Sequence, residues 1–402
     1  MSEALPTPKP RRVLAIDALR GLTIAAMVLV NNPGDWGIFE NPEGAFWKAL
    51  FWPMNHSAWH GLTPTDCIFP LFLFLSGVSC WFSFSRRAGT AGRLKKIAVR
   101  SLEIFLLGVF LVNFPFEDSA GAFFHKPFAE WRIMGVLQRI AVAWGLGALC
   151  VTLWEKRPRR IALAGAGVLL LHWIAMAFGG VAGEDPFSMY NNLGHRIDVA
   201  LLGESHLWSL PTTWGAAAYE PEGLLGCLPA AVTMLIGWFA GRRIGLSGAS
   251  GKSGRWLPVL SDLAAAGLAL VAAGVLWNFA FPVNKALWTG SYVLVCGGLS
   301  CLLLGAAVWL FEELGTSRWS WILVVFGCNA TLLYALDAVW VKCSWFLPAP
   351  SGEGAFSTWL YQSVCAGIAG PQGGSFLYPC LHVGLYWLVL LFFYKRRIFL
   401  KL

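Results

Sequence analysis

What most constrains this chain is the recurrence of apolar runs long enough to cross a lipid bilayer. Ten can be marked, at 14–32, 63–84, 97–113, 133–154, 160–178, 223–241, 258–280, 289–311, 319–340 and 376–394. A helix needs about 20 such residues to span the hydrocarbon. The expectation is an all-α polytopic membrane protein of about ten transmembrane helices. Composition agrees, with 57% hydrophobic and 13% charged residues, where soluble domains carry about 25% charged. No polar half is present that would form a separate soluble domain.

The connections alternate in charge. KPRR, RRAGTAGRLKK, EKRPRR, GRRIGLSGASGKSGR and KRRIFLKL are basic, whereas 33–62, 114–131, 179–222, 281–288 and 341–375 are poor in Lys and Arg. The positive-inside rule then places both termini in the cytoplasm. It divides the chain into a cytoplasmic tail (1–13), a transmembrane domain (14–394) and a basic cytoplasmic tail (395–402). The first run lacks a small-residue cleavage site, so it is expected to be a retained span rather than a signal peptide. The net charge of +8 follows from the basic loops and flanks spans, so it gives no reason to invoke nucleic acid. The ten cysteines have no metal-type spacing, and most lie inside apolar runs. IDALRG (16–21) and IDVALLG (197–203) are alike but too short to make an internal repeat.

Charges inside spans are costly and mark function by default. Asp17 and Arg20 open the first run three residues apart and can pair; Arg100 and Glu103 repeat the arrangement in the third. Arg132, Gln138 and Arg139 sit in WRIMGVLQRI, with the two arginines on one helical face. The structural reading makes these anchors and interhelical pairs. The functional reading makes the arginines a path for a phosphorylated ligand, because the guanidinium fork matches phosphate oxygens.

The stretch MNHSAWHGLTPTDCIFP, 54–70, is the densest polar chemistry against a span edge. His56 and His60 are four apart, but Ser57 stands where a zinc helix carries Glu, so no metal is expected. His56 can be a structural loop histidine or a general base, for which an imidazole is suited near neutral pH. Asp66 would fix the ring tautomer if the loop folds back, and Asn31 or Asn55 could donate to a developing oxyanion. The residues alone leave these readings open and do not give the reaction.

NHSAWHGLTPTDCIFPLFLFLSGVS resembles the H-x-x-W-x-G-L-T-x-x-D segment of the heparan-α-glucosaminide N-acetyltransferase family, including its bacterial members. AIDALRGLTIAAMVLVNNPG, KKIAVRSLEIFLLG, WRIMGVLQRIA, EPEGLLGCLPA, FPVNKALWTGSYVL, FGCNATLLYA and YKRRIFLKL are similar to later family motifs, in the family's order. The resemblance implies transfer of an acetyl group from cytosolic acetyl-CoA to the amine of a terminal glucosamine across the membrane. It implies that His56 is catalytic, assisted by Asn31 and Asp66, and that Arg20, Arg100, Arg132, Gln138 and Arg139 hold the donor. Asn55, Trp59, His60, Glu222, Lys285, Trp288 and Tyr292 are the candidates for sugar contacts. His60 replaces the family's usual Asn, Glu220 replaces the Asp of D-P-E-G, and PQGGSF lacks a histidine and lysine found in the animal enzyme.

The implied partners are acetyl-CoA, glucosamine or a glucosaminide, and membrane lipid, in a bacterial inner membrane, with a homodimer as one option. A thioester needs only positioning, a base and an oxyanion donor, and a route through acetyl-histidine is the alternative to direct transfer. An amino-sugar transporter and a membrane O-acyltransferase acting on glycans are the competing functions.

Overall fold

The computed structural model describes residues 13–84, 89–117, 121–209, 218–248 and 256–400. The basic run KPRR and parts of RRAGTAGRLKK, GRRIGLSGASGKSGR and KRRIFLKL lie outside these residues. Helices make up the rest of the architecture: α1 (Leu14–Asn31), the short α2 (Trp36–Glu40) and α3 (Ala45–Phe51), α4 (Ile68–Phe84), α5 (Thr90–Asn113), α6 (Val136–Trp154), α7 (Pro158–Gly179), α8 (Leu193–Leu202), α9 (Cys227–Gly248), α10 (Leu257–Trp277), α11 (Gly290–Val308), α12 (Ser317–Cys328), α13 (Ala330–Phe346), α14 (Phe356–Trp359) and α15 (Ala366–Lys395). Among the described residues the only β-pairing is two isolated bridges, Ser209–Ala218 and Pro348–Ala355. The chain is an all-α polytopic membrane protein.

Among the described residues, seven helical segments are long and apolar enough to cross a membrane, or eight if the bent pair α12–α13 is one span. The expected ten also included the segments that became α5 and α9. Both have the length, but Lys95, Lys96, Arg100 and Glu103 in α5 and Arg242 and Arg243 in α9 dilute their apolar character.

Two expected spans fold differently. The run 319–340 is broken at Asn329, where α12 and α13 meet at 63°. Asn329 leaves helical geometry (φ −131°, ψ 40°), and its side chain donates to Ile398 O and accepts from Leu400 N. The run 376–394 is the second half of a longer helical passage over 356–395, kinked where Gly370 takes φ 71° ahead of Pro371. The polar stretch 341–375, read as a loop, is therefore mostly helix.

Two helix crossings depend on glycine. A methyl added at Gly21 of α1 would sit 1.8 Å from Leu323 O of α12, and one at Gly327 2.0 Å from Asp17 O. On the α4–α9 crossing the same is true of Gly77 against Met234 O and Gly237 against Phe74 O, each at 1.9 Å. Backbones in direct contact are how helices associate where lipid removes the hydrophobic drive between them. Beside the α4–α9 crossing a core forms from Trp144, Trp238, Trp288 and Tyr292, all at most 1% exposed.

Candidate active site

The chain from Trp52 to Cys67 leaves helical geometry for most of its length and folds back on the start of α4. Asp66 drives that fold. It sits in the middle of the helical turn Thr65–Cys67 that precedes α4 and is 1% exposed. Its Oδ1 lies 2.7 Å from His56 Nδ1. Its Oδ2 accepts from the backbone N–H of Ser57 and of Thr63, each at 3.1 Å, and lies 3.0 Å from the Thr63 hydroxyl. That hydroxyl has one hydrogen and is closer to Asn55 O, at 2.6 Å. Tyr292, buried in α11, donates to Asp66 O at 2.7 Å. A carboxylate is acceptor-only, so the Asp66 contact assigns the ring proton to Nδ1. Nε2 carries the lone pair, with the Lys285 ammonium 3.4 Å away, and His56 is 48% exposed. That is the geometry of an oriented base.

Lys285 completes the cluster. Its Nζ lies 3.2 Å from His56 Nδ1, 3.4 Å from Nε2 and 3.6 Å from Asp66 Oδ1. Burial pushes the ammonium below its ordinary range, against the pull of Asp66 and Glu222.

His56 and Lys285 stand at one end of a cavity of about 760 Å³, within the roughly 300–1,000 Å³ of ligand pockets. Asn31 and Glu222 line it with them. Its far end, where α1, α4 and α5 come together, carries Arg20, Lys96, Arg100 and Glu103, and Leu400 reaches it from beyond α15. The Asp17–Arg20 pair forms as expected, at 3.1 Å, and Arg20 Nη2 also donates to Ser79 Oγ at 2.7 Å. Arg100 lies over the Trp144 ring, 4.7 Å from its centroid. The walls between the two ends are mostly apolar, from Ile24, Met27, Phe72, Ile140 and Tyr334 among others.

The other singled-out residues are placed elsewhere. Arg132 is bound by two carboxylates: Nε and Nη2 donate to Glu220 at 2.9 and 2.6 Å, and Nη2 to Glu222 at 2.8 Å. Gln138 is fully buried and donates to Ile133 O. Arg139 is 1% exposed, lies over the Trp288 ring and donates to Gly223 O. These three do not line the large cavity. Asn55 donates to Phe39 O, Trp59 to Phe187 O, and His60 meets Asn284 Nδ2 at 3.3 Å. Burial lowers His60, with Asp185 opposing. Trp288 is fully buried, packs on Phe69 and donates to Thr233 Oγ1. Tyr292 and Trp288 thus support the site from behind. The sequence reading missed Lys96, Tyr334 and Thr63; a lysine one turn before Arg100 on α5 was the available signal for the first. Among the described residues no group of three or more His, Cys, Asp or Glu is gathered as a metal site.

Fold and site together define a polytopic helical membrane protein in which one cavity joins a cationic end to a carboxylate-oriented imidazole. The family model described as "Heparan-alpha-glucosaminide N-acetyltransferase, catalytic" matches residues 12–247, more than half of the chain, and the chain belongs to that family. It is similar to the heparan-alpha-glucosaminide N-acetyltransferases of Mus musculus, at 28% identity over 72% of this chain and 47% of the relative, and of Homo sapiens, at 27% over 73% and 48%. The chain spans about half the length of these curated relatives.

Proposed function

We propose that this protein is a membrane-embedded N-acetyltransferase that moves acetyl from acetyl-CoA to the amine of glucosamine or a terminal glucosaminide. The observation that carries the proposal is the single cavity with Arg20, Lys96 and Arg100 at one end and His56, held by Asp66, at the other. In this reading the cationic end faces the cytoplasm and receives the donor's phosphates, with Arg20 and Arg100 as the forks and Lys96 as a point charge. The apolar walls suit the pantetheine arm. The thioester then reaches His56 at the opposite face, in a bacterial inner membrane with both termini cytoplasmic.

The neutral amine attacks the thioester carbonyl carbon. His56 Nε2 takes the amine proton, and the tetrahedral oxyanion collapses with cleavage of the C–S bond. The departing CoA thiolate receives a proton, returned by the ring. Asp66 keeps the ring in the tautomer this requires. Asn31 and Glu222 border the same cavity, Asn31 as a neutral donor and Glu222 as a carboxylate partner for the acceptor's ammonium before it loses its proton.

Purified protein in detergent, given acetyl-labelled acetyl-CoA and glucosamine, is expected to yield N-acetylglucosamine and CoA, with His56→Ala abolishing transfer but still binding the donor. Absence of acetylated product together with sugar uptake in proteoliposomes would support a transporter instead. Acetylation of an N-blocked sugar would support O-acyl transfer. Exchange of label between acetyl-CoA and free CoA without sugar would replace the general base by an acetyl-histidine.

A further inference from the structure

Two features of Lys285 are not explained by pairing with Asp66. First, the carboxylate is satisfied without it: Oδ1 has the His56 ring at 2.7 Å, and Oδ2 has two backbone N–H groups. The ammonium is farther off, at 3.6 Å. Second, the ring offers it one acceptor only, Nε2 at 3.4 Å. Nδ1 spends its hydrogen on Asp66, so the 3.2 Å approach of Nζ to that atom is not a hydrogen bond. An ammonium has three donors and no acceptor, so Lys285 keeps donors to spare beside Nε2, on the wall of the cavity it lines. Its burial, three-quarters complete, carries a desolvation cost that Asp66 at 3.6 Å offsets only in part.

The turn that carries Lys285 is tied to the loop that carries His56. Gly61 N–H donates to Val283 O at 2.8 Å, and Asn284 Nδ2 donates to Trp59 O at 2.9 Å. Asn284 Oδ1 in turn accepts from Leu287 N at 2.9 Å, which closes the turn. The lysine and the histidine are therefore fixed as one unit, although they are 229 positions apart. Donors held rigidly where charge develops cost no reorganisation during reaction.

We propose that Lys285 is a second catalytic residue, whose ammonium donates to the thioester oxygen as that atom becomes the tetrahedral oxyanion. This rests on the transferase reading above and assigns the oxyanion contact within it. Attack by the amine places the negative charge on the former carbonyl oxygen, and the proton goes to His56 Nε2. Lys285 keeps its own proton throughout. When the C–S bond breaks, the oxygen returns to a carbonyl and the ammonium is released unchanged.

The test uses two non-reactive donor analogues with wild-type protein, Lys285→Met and Lys285→Arg. One is a ketone analogue of acetyl-CoA, neutral and planar at the reacting carbon; the other is a phosphonate analogue, tetrahedral and anionic there. Lys285→Met is expected to bind the ketone as wild type does and to lose about 100-fold or more in affinity for the phosphonate, with kcat falling by roughly 10²–10³. Lys285→Arg should recover part of both. Equal binding of the phosphonate by wild type and Lys285→Met, with an unchanged kcat, would overturn the assignment. Equal loss for both analogues with a lowered melting temperature would also overturn it, leaving a structural role. Failure of wild-type protein to bind the ketone at all would instead remove the donor-site reading on which the inference stands.

Discussion

Asp66 lies 2.7 Å from His56 Nδ1 while its second oxygen is bound by the backbone of the very loop that carries the histidine. One buried side chain thus sets both the shape of the loop and the tautomer of the ring. Replacing it with the isosteric amide separates these tasks. Asp66→Asn is expected to keep donor affinity and lower kcat by roughly 10²–10⁴, because an amide can stabilise the wrong tautomer. Steady-state kinetics with a parallel donor-binding measurement reads both quantities.

At the opposite end of the cavity Arg20 is held by Asp17 and Ser79. Removing its charge should act on binding alone. Arg20→Ala is expected to weaken acetyl-CoA binding by about 1.5–3 kcal/mol, tenfold or more, with kcat at saturating donor within about twofold of wild type. The difference should shrink as salt is raised, since part of it is Coulombic. Isothermal titration at two ionic strengths checks both statements.

Arg132 is the informative contrast. Its guanidinium is committed to Glu220 and Glu222, and its removal strands two buried carboxylates. Arg132→Ala is expected to destabilise the protein by about 3–5 kcal/mol. In the fraction that remains folded, donor affinity should match wild type. A thermal melt and a binding isotherm on the folded fraction decide between this structural role and direct phosphate binding.

Asp198 on α8 makes a pH-dependent contribution outside the membrane spans. It is 2% exposed, and burial raises its carboxyl from 3.8 to about 6, despite the hydrogen bond from Leu224 N. The folded state therefore binds the proton more tightly than the unfolded chain. Its favourable contribution is fully present below about pH 4 and is lost as pH rises through about 6. Asp198→Asn keeps an acceptor for Leu224 N and cannot ionise. It should melt at a higher temperature than wild type at pH 7.5, by the equivalent of roughly 2–3 kcal/mol, with the gap closing at pH 4.

The helical class and most span positions were legible because hydropathy is a local property of consecutive residues. The His56–Asp66 pair was legible too, since the partners are ten residues apart and one loop brings them together. What escaped the sequence depended on distant partners. Arg132 looked like a phosphate ligand because Glu220 and Glu222, 88 and 90 positions away, could not be placed beside it. The bend at Asn329 was hidden inside an apolar run, because the groups that satisfy its side chain lie near residue 400. Lys285 was a candidate on its motif alone; its contact with the imidazole is a tertiary fact.

The two glycine crossings have a bearing on how such a molecule can work. Carbonyl oxygens of α12 and α9 occupy the space that side chains would take beside α1 and α4, so neither pair can slide or tilt without collision. Gly21→Val or Gly77→Val should accordingly cost about 3 kcal/mol, visible as loss of folded protein on size-exclusion chromatography. A bundle riveted along two seams is poorly suited to rocking between inward-open and outward-open shapes. It is better suited to standing still while a small fragment changes hands inside it, and spin labels placed across either seam should report one unvarying separation through the whole cycle.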